Sequence, residues 1–115
     1  LLARASVHAT PSLFQDPSPN VVMEAKQAGC PSIVFPRGGM PELVEDGVDG
    51  FVCPEPTAEA LADALRHYLV DAGLARSHRV AALASLSRLG VNQFSDRWLE
   101  VYFNSLPPLA FPAEN

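Results

Sequence analysis

Proline punctuates the first half of this chain and is missing from most of the second. Eleven prolines occur in 115 residues; eight fall between Pro11 and Pro56, none from 57 to 106, and three in the last nine positions. Proline has no N–H to donate and clashes with the preceding helical turn, so each one stops regular structure or bends it. The first half therefore predicts short strands and tight turns, while the second is free to form long helices. The unit runs over 1–106, with 107–115 as a proline-rich tail. The opening residues Leu1, Leu2 and Ala5 read as the last turn of a helix, so the chain reads as beginning inside a fold.

Three short apolar runs, at 6–11, 32–36 and 50–54, predict strands, and each ends at or near a proline, which marks an exit from a sheet. The middle run, Ser-Ile-Val-Phe-Pro, is continuously apolar, as in a strand covered on both faces. Between the first two strands, 20–28 predicts a helix. Ser18 is its N-cap, Pro19 sits at its first position, and Gly29 takes the left-handed conformation after its last turn. A short helical turn at 41–45, stopped by Asp46-Gly47, separates the second and third strands. Thr57 then caps a helix with Leu61, Ala64, Leu65, Tyr68 and Leu69 on its apolar stripe. A second long helix spans 74–89, with Val80, Leu83, Ala84 and Leu86 inward and Gly90 ending it. Ser95 opens a last helix, with Phe94 and Leu99 as a hydrophobic staple and Trp98, Leu99, Tyr102 and Phe103 as its stripe. Strand and helix alternate as in an α/β domain with a parallel sheet. Three strands make half of a doubly wound sheet, which leaves one flank of the first strand open.

Composition narrows the function classes. Thirteen acids against eight bases give a net charge of −5, the opposite of the basic face that nucleic acid requires. No apolar run is long enough to span a bilayer. Cys30 and Cys53 are too few for a disulfide scaffold or a zinc site and suit a reducing cytosol. Cys30 reads as a small buried hydrophobe. His8 reads as a packed, hydrogen-bonded strand residue, and His67 and His78 as solvated helix residues. No two histidines have a metal-binding spacing, so no metal is expected.

In open parallel sheets, ligands bind beyond the carboxyl ends of the strands. The loop leaving the first strand, Ser12-Leu13-Phe14-Gln15-Asp16-Pro17-Ser18, feeds a helix start. The N–H groups of Asn20, Val21 and Val22 have no acceptor within that helix and offer a site for phosphate. Asp16 in the loop and Glu24 on the helix add two carboxylates, and Asn20 and Glu24 share a face. Phosphate-binding amides flanked by acids suit a ligand with both phosphates and hydroxyls, such as a nucleotide sugar. Gly38 and Gly39 read equally as a tight turn or as lining of the sugar pocket. Glu42 reads as an acid favouring a helix start rather than as a ligand contact.

The residues themselves carry a more specific signal. The runs are Pro11-Ser12-Leu13-Phe14, Asp16-Pro17-Ser18-Pro19-Asn20-Val21-Val22-Met23-Glu24-Ala25, Gly29-Cys30-Pro31, Gly38-Gly39-Met40-Pro41-Glu42-Leu43-Val44, Asp46-Gly47 and Gly50-Phe51-Val52. In order and spacing they resemble the family 4 (group 1) glycosyltransferases of the GT-B fold. The resemblance implies a Rossmann-like sheet forming the second half of the C-terminal, donor-binding domain. It implies a metal-independent, retaining hexosyltransferase that moves sugar from a nucleotide-diphosphate donor to an acceptor hydroxyl, with no cofactor. It maps the family's two-acid motif onto Asp16 and Glu24. Asp16 would bond the transferred sugar as the catalytic-site acid, the Asn20 and Val21 amides would hold the distal phosphate, and Glu24 would hold the ribose. Asp16 stands where the family usually has the longer glutamate, and Pro19 where it often has glycine.

The resemblance places the family's basic pair, base-reading residues and acceptor domain upstream, so the chain by itself is expected not to turn over. The partners it implies are the nucleotide sugar and that upstream domain, with self-association through the open sheet edge or the last helix. The expected location is the cytoplasm or the cytoplasmic membrane surface. Two other readings stay open: a nucleotide-sugar epimerase of similar build, and a non-catalytic α/β binding module.

Overall fold

A computed structural model of the chain describes residues 4–15 and 20–87, with positions 96, 99–101 and 104–105 beyond them. The element order is β1 (His8–Thr10), α1 (Asn20–Gln27), β2 (Ser32–Val34), α2 (Met40–Leu43), β3 (Gly50–Val52), α3 (Ala58–Val70) and α4 (Ala72–Ser85). The strands form one parallel sheet in the order β1-β2-β3. In register, Ile33 lies between Ala9 and Phe51. The fold is thus the α/β, Rossmann-like arrangement expected, with β1 at one end of the described sheet. Each strand is shorter than the apolar run that predicted it, because the ladder stops before Pro11, Pro36 and Pro54.

β2 is the centre of the molecule: all three of its residues are buried. Val22 of α1, Met40 of α2, and Ala64 and Tyr68 of α3 close over it with Ile33, Val34 and Phe35. On the far side, Asp46 Oδ1 accepts a hydrogen bond from the Val52 N–H at 2.9 Å, so a side chain satisfies a donor of β3.

Several local signals act as expected. α1 ends in a Schellman motif: Gly29 has φ +70°, its N–H bonds the Lys26 carbonyl, and Cys30 N–H bonds the Ala25 carbonyl. Thr57 caps α3, its hydroxyl accepting from Ala60 N–H at 3.2 Å. Thr57→Ala is expected to cost about 1 kcal/mol, the usual loss for a capping hydroxyl; a urea titration measures it, and an unchanged midpoint would show that the cap contributes nothing. Cys30 is buried and half-buried His8 bonds Ser32 Oγ through Nδ1 at 3.1 Å. Burial raises the Cys30 thiol above its ordinary value and lowers the His8 imidazole below its own.

The long helices correct the expected faces. In α3, Ala64 and Tyr68 are buried and Leu61 and Leu65 half-buried, but Leu69 is exposed. Leu69 follows Tyr68 by about 100° around the helix and so leaves the stripe. α4 starts at Ala72, capped by the Asp71 carboxylate on Gly73 N–H, not at 74. Its buried residues are His78, Ala82 and Ser85. Val80, Leu83 and Ala84 are exposed and Leu86 lies past the helix end. The small residues Ala82 and Ser85 allow close approach where α4 packs on α1 and α3.

His78, expected to be solvated, is 2% exposed and its Nδ1 shares a 2.7 Å hydrogen bond with Tyr68 Oη. Phe51 meets Tyr68 and His78 edge-on, with ring centroids 5.3 Å apart in each case. Exposed His67 stacks on the same ring. Burial pushes the Tyr68 hydroxyl well above the ordinary phenol range. The short helix expected at 41–45 begins one residue earlier, at Met40, which is wholly buried. The cap of the last helix at Ser95, its staple residue Phe94 and its stripe residues Trp98, Tyr102 and Phe103 lie outside the described residues, as do Leu1, Leu2 and Gly90. Leu99 is half exposed.

Candidate functional site

The carboxyl ends of β1 and β2 point the same way because the strands are parallel, and the loops that leave them meet. Gln15 Oε1, in the loop after β1, accepts the Gly38 N–H at 2.9 Å in the loop after β2. Gly38 has φ +55°, a conformation that favours glycine, and Gly39 follows as the N-cap residue of α2. The turn reading of these two glycines therefore holds. Gly38 is exposed and Gly39 buried, and α2, which follows them, packs on α1.

α1 divides its residues by helical spacing. Val22, Ala25 and Lys26 are buried, whereas Asn20, Val21 and Glu24 are exposed. The first turn thus presents Asn20 and Val21, with Glu24 one turn further along the same face. The side chain of Val22 has no accessible surface, so anything it offers a ligand is its backbone N–H. Unsatisfied N–H groups and the positive end of the helix dipole favour an anion at such a start. Asp16 and Ser18 lie outside the described residues. Glu42 is exposed in the first turn of α2, as expected of an acid that favours a helix start. Arg37, half-buried just before Gly38, has a buried Nε without a partner among the described residues.

Sequence reasoning passed over three residues: Gln15 at the carboxyl edge of the sheet, and Lys26 and Asp49, which meet at its other edge, in the last turn of α1 and just before β3. Nothing local marks Gln15 as the link between two loops. Lys26 carried a readable signal: it lies four residues after Val22 on the buried side of α1, where a cation requires a partner. That partner is Asp49, 23 positions away, with Lys26 Nζ donating to Asp49 Oδ2 at 2.9 Å. Among the described residues, no cluster of three or more His, Cys, Asp or Glu is placed to hold a metal ion, and no helix is long and apolar enough to cross a membrane.

A parallel sheet with an exposed helix start and two joined loops at its carboxyl edge is a Rossmann-like arrangement, the kind of edge at which open α/β sheets take ligands. The chain belongs to the family of glycosyl transferases group 1, whose sequence pattern matches residues 1–71. Over 101 residues it is 31% identical to the exopolysaccharide phosphotransferase SCO2592 of Streptomyces coelicolor, covering 87% of this chain and 11% of that protein. Over 44 residues it is 43% identical to the amylovoran biosynthesis glycosyltransferase AmsK of Erwinia amylovora, covering 38% of this chain and 11% of that one. The crystal structure of Anabaena Alr3699/HepE in complex with UDP-glucose superposes with a TM-score of 0.78 at 27% identity, covering 91% of this chain and 29% of that chain. The chain thus spans a small part of each relative's length.

Proposed function

We propose that this chain forms the nucleotide-sugar site of a retaining, metal-independent glycosyltransferase of family 4, and that it is the second half of the C-terminal domain of a GT-B protein. The observation that carries the reading is the exposed face of α1, Asn20, Val21 and Glu24, which follows β1 of a parallel sheet whose first two outgoing loops are joined by Gln15 and Gly38. Similarity to a protein whose crystal structure holds UDP-glucose supports a nucleoside diphosphate as the carrier.

In this reading the Asn20 and Val21 amides hold the distal phosphate and Glu24 accepts hydrogen bonds from the ribose hydroxyls. Asp16 bonds hydroxyls of the transferred sugar, and Ser18 stands at the entrance of the helix. The acceptor hydroxyl oxygen bonds the anomeric carbon on the face from which the phosphate oxygen departs, the carbon–oxygen bond to the phosphate breaks, and the hydroxyl proton passes to the departing nucleoside diphosphate. Negative charge grows on the departing phosphate, where oriented amides stabilise it. The base-reading groups and the cations that neutralise the diphosphate belong to upstream parts of the whole protein and the acceptor site to its other domain, and the setting is the cytoplasm or the cytoplasmic membrane surface.

The test is a titration of the 15N-labelled chain with UDP and UDP-glucose. The Asn20 and Val21 amide signals are expected to move on binding. Glu24→Ala is expected to weaken UDP by about tenfold or more, the scale of losing hydrogen bonds to a charged acceptor. Silent amides at the start of α1 throughout the titration would overturn the reading.

A further inference from the structure

An ion pair lies buried behind the proposed site. Lys26 follows Glu24 by two residues on α1, so it points away from the exposed face and into the protein. It is 4% exposed and Asp49 is 2% exposed. Besides its bond to Asp49 Oδ2, Lys26 Nζ donates to the carbonyl of Leu43, the last residue of α2. Asp49 Oδ1 accepts the Glu45 N–H at 2.8 Å. One ammonium group therefore joins the helix bearing Glu24, the tail of the helix opened by Gly38 and Gly39, and the turn that leads into β3.

Stability alone is a poor reason for such a pair. Taking both charges out of water costs about as much as their attraction returns, and apolar residues of the same volume often serve as well. The pair provides direction instead, through hydrogen bonds with fixed geometry. α2 needs it. It has four residues and no side-chain cap, and one turn of helix does not hold itself in place. Its head is held where Gln15 takes the Gly38 N–H, and its tail where Lys26 takes the Leu43 carbonyl.

We infer that Lys26 and Asp49 are positioning residues that set the spacing between the Glu24 face of α1 and the Gly38–Gly39 turn, and so govern recognition of the donor's sugar more than of its nucleoside diphosphate. The inference rests on the proposed donor site. The contacts this chain makes to the diphosphate and ribose belong to α1 and keep their geometry within one helix. The sugar lies between α1 and the turn, so its contacts depend on how the two elements are spaced.

The experiment compares UDP and UDP-glucose affinities in the parent chain, in Lys26→Met/Asp49→Asn and in Lys26→Leu/Asp49→Asn. The first double variant removes both charges, leaves an acceptor for the Glu45 N–H, and is expected to fold. UDP affinity is expected to stay within about twofold, while the preference for UDP-glucose over UDP falls about fivefold, the scale of coupling between residues in contact. A role confined to stability would leave that preference unchanged. If the first double variant does not fold, Lys26→Leu/Asp49→Asn, which also removes both charges and the bond to Leu43, carries the test and is expected to lower the same preference. A folded variant with the parent's preference overturns the inference and leaves the donor site standing. A parent chain that binds neither ligand overturns the donor-site reading and this inference with it.

Discussion

Gly50→Ala is expected to remove a large share of the stability of this chain. Gly50 opens β3 opposite Ser32 of β2. A Cβ built there would lie 2.1 Å from the Ser32 carbonyl oxygen and 2.9 Å from Val44 Cγ1. Real Cβ atoms do not approach an oxygen so closely, and this oxygen belongs to the backbone of the central strand. β2 is covered by β1, β3 and the helices, so it has nowhere to move. Relief requires β3 to leave its place in the ladder, with loss of hydrogen bonds worth about 1 kcal/mol each. Added to the overpacking cost of about 1–3 kcal/mol, the expected loss is roughly 3–5 kcal/mol, against a total of about 5–15 kcal/mol for a typical domain. Urea unfolding followed by circular dichroism measures it. A midpoint within a few tenths molar of the parent would show that the strands part easily. No sequence rule predicts this glycine's role, because its φ is ordinary and only a neighbouring strand forbids the methyl group.

Lys26→Met alone is expected to cost about 3–5 kcal/mol, the usual result of leaving one member of a buried ion pair without its partner. Methionine fills nearly the same volume, so the loss comes from the stranded Asp49 carboxylate rather than from a cavity. Adding Asp49→Asn is expected to recover most of it. The double-mutant cycle, read from urea midpoints, gives the coupling between the two side chains. Additive effects of the two single changes would mean that the charges do not depend on each other.

The two changes act differently on the protein. Gly50→Ala attacks the sheet that carries the site, so binding is expected to fall only as the folded fraction falls. The Lys26 and Asp49 changes act between α1 and α2, where the folded protein's own preference for ligands is at stake. Stability and ligand preference therefore have to be measured on the same samples.

Features that depend on a few neighbouring residues were legible in the sequence. Thr57 as a cap, Gly29 as the left-handed residue ending α1, the buried run at β2 and the alternation of strand and helix all follow from backbone chemistry within about five residues. The exposed face of α1 was legible for the same reason, since spacing along one helix separates Asn20, Val21 and Glu24 from Val22 and Ala25. The motif order from Pro11 to Val52 added the family. The inward face of α4 was not legible. Leu83 and Val80 are better apolar residues than His78 and Ser85, and local hydrophobicity put the wrong side inward. Tyr68 decided it, by offering His78 a hydrogen bond inside the core.

The sequence by itself determined where this chain turns, how α1 ends, where α3 is capped and which residues of α1 face outward, because those depend on groups a few bonds apart. Only the tertiary structure decided that Lys26 meets Asp49, that His78 is buried against Tyr68, that Gln15 fastens Gly38 and that Gly50 can bear no side chain. Each of these joins residues 10 to 23 positions apart or, at Gly50, 18 positions apart. Such pairings exist only after the sheet has set its register, and burial then makes an unpaired charge or a misplaced methyl group costly.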